Sequence, residues 1–345
     1  MTFATNNGDM AGGEVMLLAM ARAARELGAD VTIVAPSAPA EMLDAAREDG
    51  FAAVEIRATS RPAYVRGLRA WDAAERRGLL WCNGLVPSLA TAGHRNRVVH
   101  LHQLPRGTAQ RGAFALARAG ARRVVVPSQT MAATVPGSVA LPNWTQEVVL
   151  PAGPHERKPG EVVLGFIGRH SFDKGLPVLA EALALLEQRH PGRYRLYLAG
   201  EPRFVAADDA ARVAASLAPV AHLTTRAGWV ERSTFYSSVD LAVFPSVWAE
   251  PFGLVVTEAM SAGVGVVISD AGALPEVAGP DHPWIARAGD PASLATVIER
   301  AAAEITPAHR TAARDRWEQE FSPDAGRRRL ARHLAELGVL DAQQA

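Results

Sequence analysis

Apolar and polar positions along this chain switch repeatedly between two periods. Short apolar runs such as Val31–Ala35 and Leu241–Phe244 have the length and β-branched content of buried strands. Between them, stretches such as Gly13–Leu27 carry apolar residues at every third or fourth position, and that one stops at Gly28, as an amphipathic helix does. Strands are expected at Thr2–Thr5, Val31–Ala35, Leu79–Trp81, Arg97–Leu101 and Arg123–Val126. A second set is expected at Val162–Gly168, Tyr194–Ala199, His222–Thr224, Leu241–Phe244 and Val264–Ser269. Strands alternating with helices imply parallel sheets covered on both faces, hence an α/β protein. A Pro- and Gly-rich stretch without either period, residues 151–160, separates a first domain at 1–150 from a second at 161–306. Residues 307–345 end the chain in a helical stretch, roughly Pro307 to Leu337.

Composition supports this division. At 345 residues the chain is too long for one ordinary core and suits two domains of about 150 residues each. An apolar fraction of 48%, with 36 basic against 36 acidic residues, indicates a globular protein with no general affinity for polyanions. The single cysteine, Cys82, excludes an internal disulfide framework and a Cys-rich metal site. Glu14 and Arg22 interrupt the first apolar run, so neither a signal peptide nor a membrane span is expected, and the protein is expected in the cytoplasm.

Candidate chemistry concentrates at Glu250-Pro-Phe-Gly-Leu-Val-Val-Thr-Glu258, where two carboxylates lie eight residues apart across a strand–helix junction. Gly253 permits a tight turn before Leu254 opens a helix, whose unpaired N–H groups suit a phosphate. Glu258, about one turn in, can face the same cleft as Glu250, so that one carboxylate takes ribose hydroxyls and the other sugar hydroxyls. The alternative is a first-turn glutamate favoured by the helix dipole beside a solvated loop charge. Upstream, a strand ends in Gly168-Arg169, and Lys174-Gly175 opens a helix. Lysine is rare here, with only Lys158 and Lys174 against 34 arginines. Its compact ammonium suits a pyrophosphate oxygen in a tight site.

Together these residues resemble the retaining glycosyltransferases of the GT4 family. The resemblance covers Gly12-Gly13-Glu14, Trp81-Cys82-Asn83-Gly84, Val99-His100-Leu101-His102, Val126-Pro127-Ser128 and Leu141-Pro142-Asn143. It continues through Gly168-Arg169, Lys174-Gly175, Leu198-Ala199-Gly200, Gly228-Trp229-Val230, the Glu250 to Glu258 motif and Gly272 to Glu276. It implies a GT-B fold, two Rossmann-like domains whose parallel sheets face a central cleft, with the helices of 307–345 partly crossing back to the first domain. The acceptor would lie on the first domain and the nucleotide sugar on the second.

The same resemblance assigns roles. Arg169 and Lys174 would neutralise the diphosphate, Glu258 would bind the ribose, and Glu250 would contact a donor-sugar hydroxyl. Gly12, Gly13 and Gly168 would border the donor, the backbone near Phe252, Gly253 and Leu254 would add donors, and the segment around Val230 would read the base. His102 matches the active-site histidine, followed here by Gln103 where many relatives have aspartate, which leaves its partner open. His100 is expected on the opposite face of that strand. Asn83, Gln103 and Arg106 are the acceptor-side candidates. Catalytic work would fall to His102, Glu250, Arg169 and Lys174.

No cofactor and no metal are expected, since no Asp-x-Asp occurs and no histidine pair flanks a glutamate at helical spacing. The expected activity is transfer of a sugar, from a nucleoside diphosphate sugar with uridine preferred (UDP-GlcNAc for example), to a hydroxyl of a cyclitol, aminocyclitol or natural-product acceptor. Nucleic acid is not an expected partner. Between Arg57 and Arg123 lie thirteen arginines and only Asp72 and Glu75 as acids. Within it, Pro62–Arg77 reads as a helix with Tyr64, Leu68 and Trp71 on one side, which suits either a solvated surface or peripheral contact with an anionic membrane bearing a lipid-linked acceptor. A pseudo-glycosyltransferase or an inactive nucleotide-sugar-binding scaffold are the remaining alternatives.

Overall fold

The computed structural model describes residues 1–151, 158–203 and 205–340. The centre of the expected linker, residues 152–157, lies outside the described residues. The chain divides into two compact units, Met1–Thr145 with Pro323–Ala345, and Gln146–Ser322.

The first unit is built on a seven-stranded sheet of β1 (Thr2–Thr5), β2 (Thr32–Pro36), β3 (Ala52–Ile56), β4 (Leu80–Asn83), β5 (Arg97–His100), β6 (Ala121–Val126) and β7 (Ser138–Ala140). Its order is β3-β2-β1-β4-β5-β6-β7, and every pairing is parallel. The central strands β1, β4 and β5 are buried along their whole length, polar ends included, as expected of strands covered on both faces. Helix Gly12–Glu26 lays Met16, Leu17 and Met20 on the sheet and ends before Gly28, whose φ of 86° takes the chain out of the helix. The helix at the far end of the chain, Pro323–Glu336, adds Leu330 and Leu334 to that same core.

The second unit repeats the plan with β8 (Val162–Ile167), β9 (Tyr194–Ala199), β10 (Thr224–Gly228), β11 (Leu241–Phe244), β12 (Gly265–Ser269) and β13 (Ile285–Ala286), ordered β10-β9-β8-β11-β12-β13 and again parallel. In each sheet the strand order reverses direction beside the first strand, between β1 and β4 and between β8 and β11. Loops leaving such a switch point diverge, opening a crevice at the carboxyl ends of the strands.

Several expectations are corrected. The strand expected at His222–Thr224 begins only at Thr224, because Pro219 starts a 3-10 turn over Ala218–Leu223. The helical end is two helices, Pro307–Arg316 and Pro323–Glu336, separated by a wide turn at Trp317–Phe321 and an extended Ser322, the conformation that a following proline enforces. Strands β3, β7 and β13 were not anticipated.

The arginine-rich helix, Arg61–Ala74, turns Tyr64 and Leu68 onto its own sheet at 3% and 0% exposure, while Trp71 is only partly buried against the same cluster. Several of the surrounding arginines serve the fold. Arg69 donates to the carbonyls of Ala90 and Ala92, and Arg76 to those of Gly78, Arg95 and Asn96. Arg97, fully buried, donates to the carbonyls of His94, Ser88, Ala117 and Ala119. Among the described residues no helix is long and apolar enough to cross a membrane.

Candidate active site

In the second unit a cavity of about 100 Å³ opens at the carboxyl ends of β8 and β11, lined by Gly168, Lys174, Ser246, Glu250, Gly253 and Leu274 among others. Two loops form it, and glycines let them approach. Gly175 has φ 75°, and a Cβ there would lie 1.8 Å from the Pro245 carbonyl oxygen. The Val247 N–H donates to the Asp173 carbonyl at 3.0 Å, completing the seam between the loops. Gly272, with φ 62°, passes so near the Glu250 backbone that a Cβ would meet its nitrogen at 2.3 Å. Ala273 N–H donates to the Glu250 carbonyl at 2.9 Å. Lys174 and Glu250 are thereby fixed by backbone packing rather than by side-chain length.

Lys174 Nζ donates to Glu250 Oε1 at 2.5 Å, and the buried Ser246 hydroxyl donates to the same oxygen at 2.8 Å. The lysine side chain keeps 31% exposure and the glutamate 9%. Oε2 of Glu250 accepts no hydrogen bond from the described residues, so one carboxylate oxygen is held and one is offered. Arg169 sits on the rim, paired with Asp173 at 2.8 Å. Burial opposes the charge on Asp173, yet the Ser171 hydroxyl and the Arg169 and Lys174 cations hold its pKa below the usual carboxylate value. Two cations beside a glycine turn are equipped to receive a diphosphate.

Glu258 occupies the second turn of helix Leu254–Ser261, which starts after Gly253 at φ 108°. Burial pushes the Glu258 carboxyl up, and Arg232, at 2.8 Å, opposes that shift. The Phe252 side chain turns inward to an edge-on contact with Phe321, leaving only its backbone for a ligand, and Val230 and Leu254 pack against the same core. Sequence reasoning missed Ser246, Arg232 and Tyr236. The signal for Ser246 was present in Phe-Pro-Ser at the end of a buried strand, whereas Arg232 is one arginine among many.

The first unit gathers its candidates at the carboxyl ends of β1, β4 and β5. Asn83 Nδ2 donates to the Gly13 carbonyl at 3.1 Å, and its Oδ1 lies 2.5 Å from His102 Nε2. A carbonyl can only accept, so the Asn83 amide orientation is determined and His102 carries its proton on Nε2, leaving Nδ1 as an acceptor. Burial lowers the His102 pKa to about 4, so the ring is neutral near pH 7. The partner left open by Gln103 is therefore Asn83, 3% exposed and with both polar atoms engaged. Gln103 and Arg106 are exposed beyond it, and Gly12 opens the helix beside Gly13.

The expectation that His100 faces away from His102 is wrong. Residues two apart on a strand share a face, and the rings lie 4.1 Å apart between centroids. Trp81 Nε1 donates to His100 Nδ1 at 3.2 Å, while His100 Nε2 is buried without a partner. Among the described residues no three His, Cys, Asp or Glu side chains converge to hold a metal ion.

Residues 161–304 match the family model described as glycosyl transferases group 1. An uncharacterized glycosyltransferase of Methanocaldococcus jannaschii is 34% identical over 120 residues, 34% of this chain and 29% of that protein. The D-inositol 3-phosphate glycosyltransferase of Nocardia farcinica is 35% identical over 129 residues, 34% of this chain and 27% of that one. The chain thus matches about three-tenths of the length of these curated relatives. Among solved structures, Anabaena HepE in complex with UDP and glucose superposes with a TM-score of 0.81 at 19% identity, covering 97% of this chain and 98% of that one. Sucrose-phosphate synthase from Thermosynechococcus elongatus follows at 0.79 and 18%, covering 98% of both chains. Residues 161–304 of the second unit thus resemble the glycosyl transferases group 1 family, and the two parallel-sheet units have the GT-B fold.

Proposed function

We propose that the protein is a retaining, metal-independent glycosyltransferase that moves a sugar from a nucleoside diphosphate sugar, with uridine preferred, to a hydroxyl of a small acceptor. The observation that carries this reading is the Lys174–Glu250 pair in the cavity at the β8–β11 switch point. In the loaded enzyme Lys174 and Arg169 neutralise the diphosphate, backbone N–H groups near Gly253 and Leu254 add donors, and Glu258 takes the ribose hydroxyls. Glu250 meets a sugar hydroxyl through its free oxygen. His102 accepts a further sugar hydroxyl through Nδ1. Charge that grows on the departing diphosphate meets cations already in place, a larger effect in a water-poor site than in bulk solvent.

The bond from the anomeric carbon to the β-phosphate oxygen breaks while the acceptor oxygen bonds to that carbon from the same face. The acceptor's proton passes to the departing phosphate oxygen, which balances the step without a protein nucleophile. HepE, solved with UDP and glucose, supports a uridine donor. The relatives named for D-inositol 3-phosphate support a cyclitol acceptor. A cytoplasmic location suits both soluble substrates.

Incubation with UDP-GlcNAc or UDP-glucose and an inositol phosphate, followed by NMR of the product, tests the reading. Donor-dependent UDP release with retained anomeric configuration is expected, unchanged by EDTA. An inverted product, or strict dependence on added Mg²⁺ or Mn²⁺, would overturn the mechanism. A folded protein that binds UDP but never turns over would favour the inactive scaffold.

A further inference from the structure

Arg232 and Tyr236 stand on the short helix Arg232–Ser237, just beyond Gly228-Trp229-Val230 at the end of β10. Arg232 Nε donates to Oε2 of Glu258 at 2.8 Å. The Tyr236 hydroxyl donates to the Val255 carbonyl at 2.8 Å and lies 3.4 Å from that same Oε2. Oε1 of Glu258 accepts no hydrogen bond from the described residues. The carboxylate is thus clamped from two sides, by a guanidinium with 46% side-chain exposure and by a tyrosine that is 1% exposed, while its second oxygen stays open. The charged and titratable groups facing it are Arg232 and Tyr236, with Glu231 next to Arg232.

A carboxylate oxygen held in one place is a demanding acceptor. A ligand that supplies a hydroxyl there satisfies it, and a ligand lacking that hydroxyl leaves it desolvated and unpaired, which is how polar sites reject analogues missing one group. We infer that Arg232 is a positioning and specificity residue of the nucleotide subsite, fixing Glu258 so that its free oxygen requires a ribose hydroxyl and the protein selects ribonucleoside over 2′-deoxyribonucleoside diphosphates. This inference rests on the assignment of Glu258 to the ribose. Arg232 acts through Glu258 and makes no contact with the sugar itself.

The test is calorimetry on the full chain, using whichever of UDP, GDP and ADP binds most tightly and its own 2′-deoxy counterpart. Wild type is expected to favour the ribonucleotide by about tenfold or more. In Arg232→Ala the preference falls to roughly threefold or less through loss of ribonucleotide affinity, with deoxyribonucleotide affinity little changed. Arg232→Lys restores part of the preference. A second readout is pH: between pH 8 and 5.5, ribonucleotide affinity falls in Arg232→Ala more steeply than in wild type, because the guanidinium no longer opposes protonation of a buried carboxyl. Circular dichroism establishes that each variant is folded.

If Glu258→Gln abolishes the preference while folded Arg232→Ala and Arg232→Lys both retain it in full, the role of Arg232 is overturned and the ribose assignment stands. If wild type shows no preference, or Glu258→Gln leaves it intact, the ribose assignment itself fails and this inference fails with it. Failure of all three ribonucleotides to bind counts against the proposed function as a whole.

Discussion

At the scale of single residues, the chemistry turns on which oxygen and which nitrogen are already taken. Lys174→Ala removes the cation from Glu250 and, under the proposed assignment, from the diphosphate, and turnover should fall by about 2 to 4 kcal/mol of transition-state stabilisation in a folded protein. Lys174→Arg should fall less. Wild-type turnover in the alanine variant would sink the diphosphate assignment. Glu258→Gln should weaken nucleotide binding, whereas Glu250→Gln should leave it unchanged and depress transfer, each through loss of a charge-assisted bond typically worth about 1.5 to 3 kcal/mol. Calorimetry with UDP against turnover with the donor separates the two. His102 makes a pH prediction. With a pKa near 4 its imidazole stays neutral from pH 8 down to about pH 5, so the transfer rate should show no limb from His102 across that range. A rate that rises on protonation near pH 6.5 would show that the imidazolium is used instead. Glu250 and Glu258 stand out in the sequence by their spacing, Lys174 by the rarity of lysine, and His102 through the family resemblance. Ser246, Arg232 and Asn83's hold on His102 were not, since they depend on which side chains meet across loops far apart in the chain.

At the scale of elements, the long apolar runs translated directly into strands. Tyr194–Ala199 and Leu241–Phe244 have the bounds that their patterns indicate. The unanticipated strands lie towards sheet edges, where β3 buries only Ile56 and β13 is only two residues long, so neither bears a clear apolar signature. The loops depend on backbone approach rather than on pattern. Gly272→Ala is the test: the added methyl would lie 2.3 Å from the Glu250 nitrogen, and φ 62° disfavours any side chain. Sheet and helices should survive, judged by circular dichroism. Turnover should drop at least tenfold, about 1.4 kcal/mol, because Glu250 is displaced from Lys174. Full activity would show that the loop tolerates a shift that the close packing argues against.

At the scale of the whole molecule, buried imidazoles set the response to acid. Burial lowers His102 and His282 to about 4 and His100 well below its ordinary value. Above about pH 6.5 these rings are neutral folded and unfolded, and contribute nothing to pH dependence. Below it the unfolded chain takes up protons that the folded chain refuses, so stability should fall between pH 6.5 and 4, by at most about 1.4 kcal/mol per pH unit for each ring. Glu14 and Glu258, whose carboxyls burial raises, act in the opposite sense and return some stability as they protonate. Urea midpoints from pH 7.5 to 4.5 measure the sum, and a midpoint that rises on acidification would refute the dominance of the histidines. The expected bounds, 1–150 and 161–306 about a linker at 151–160, differ from the compact units, which divide between Thr145 and Gln146 and again between Ser322 and Pro323, and helix Pro307–Arg316, with no buried residue, offers no apolar pattern by which to assign it. The first unit is closed by Pro323–Glu336, whose Gly326 lies so near Trp144 that a Cβ would meet the indole at 2.1 Å. The half of the protein translated first is therefore the half completed last. On the ribosome, residues 146–322 are all synthesised before the first unit receives the helix whose Leu330 and Leu334 complete its core and whose Gly326 packs on Trp144, and until then that core stands unfinished.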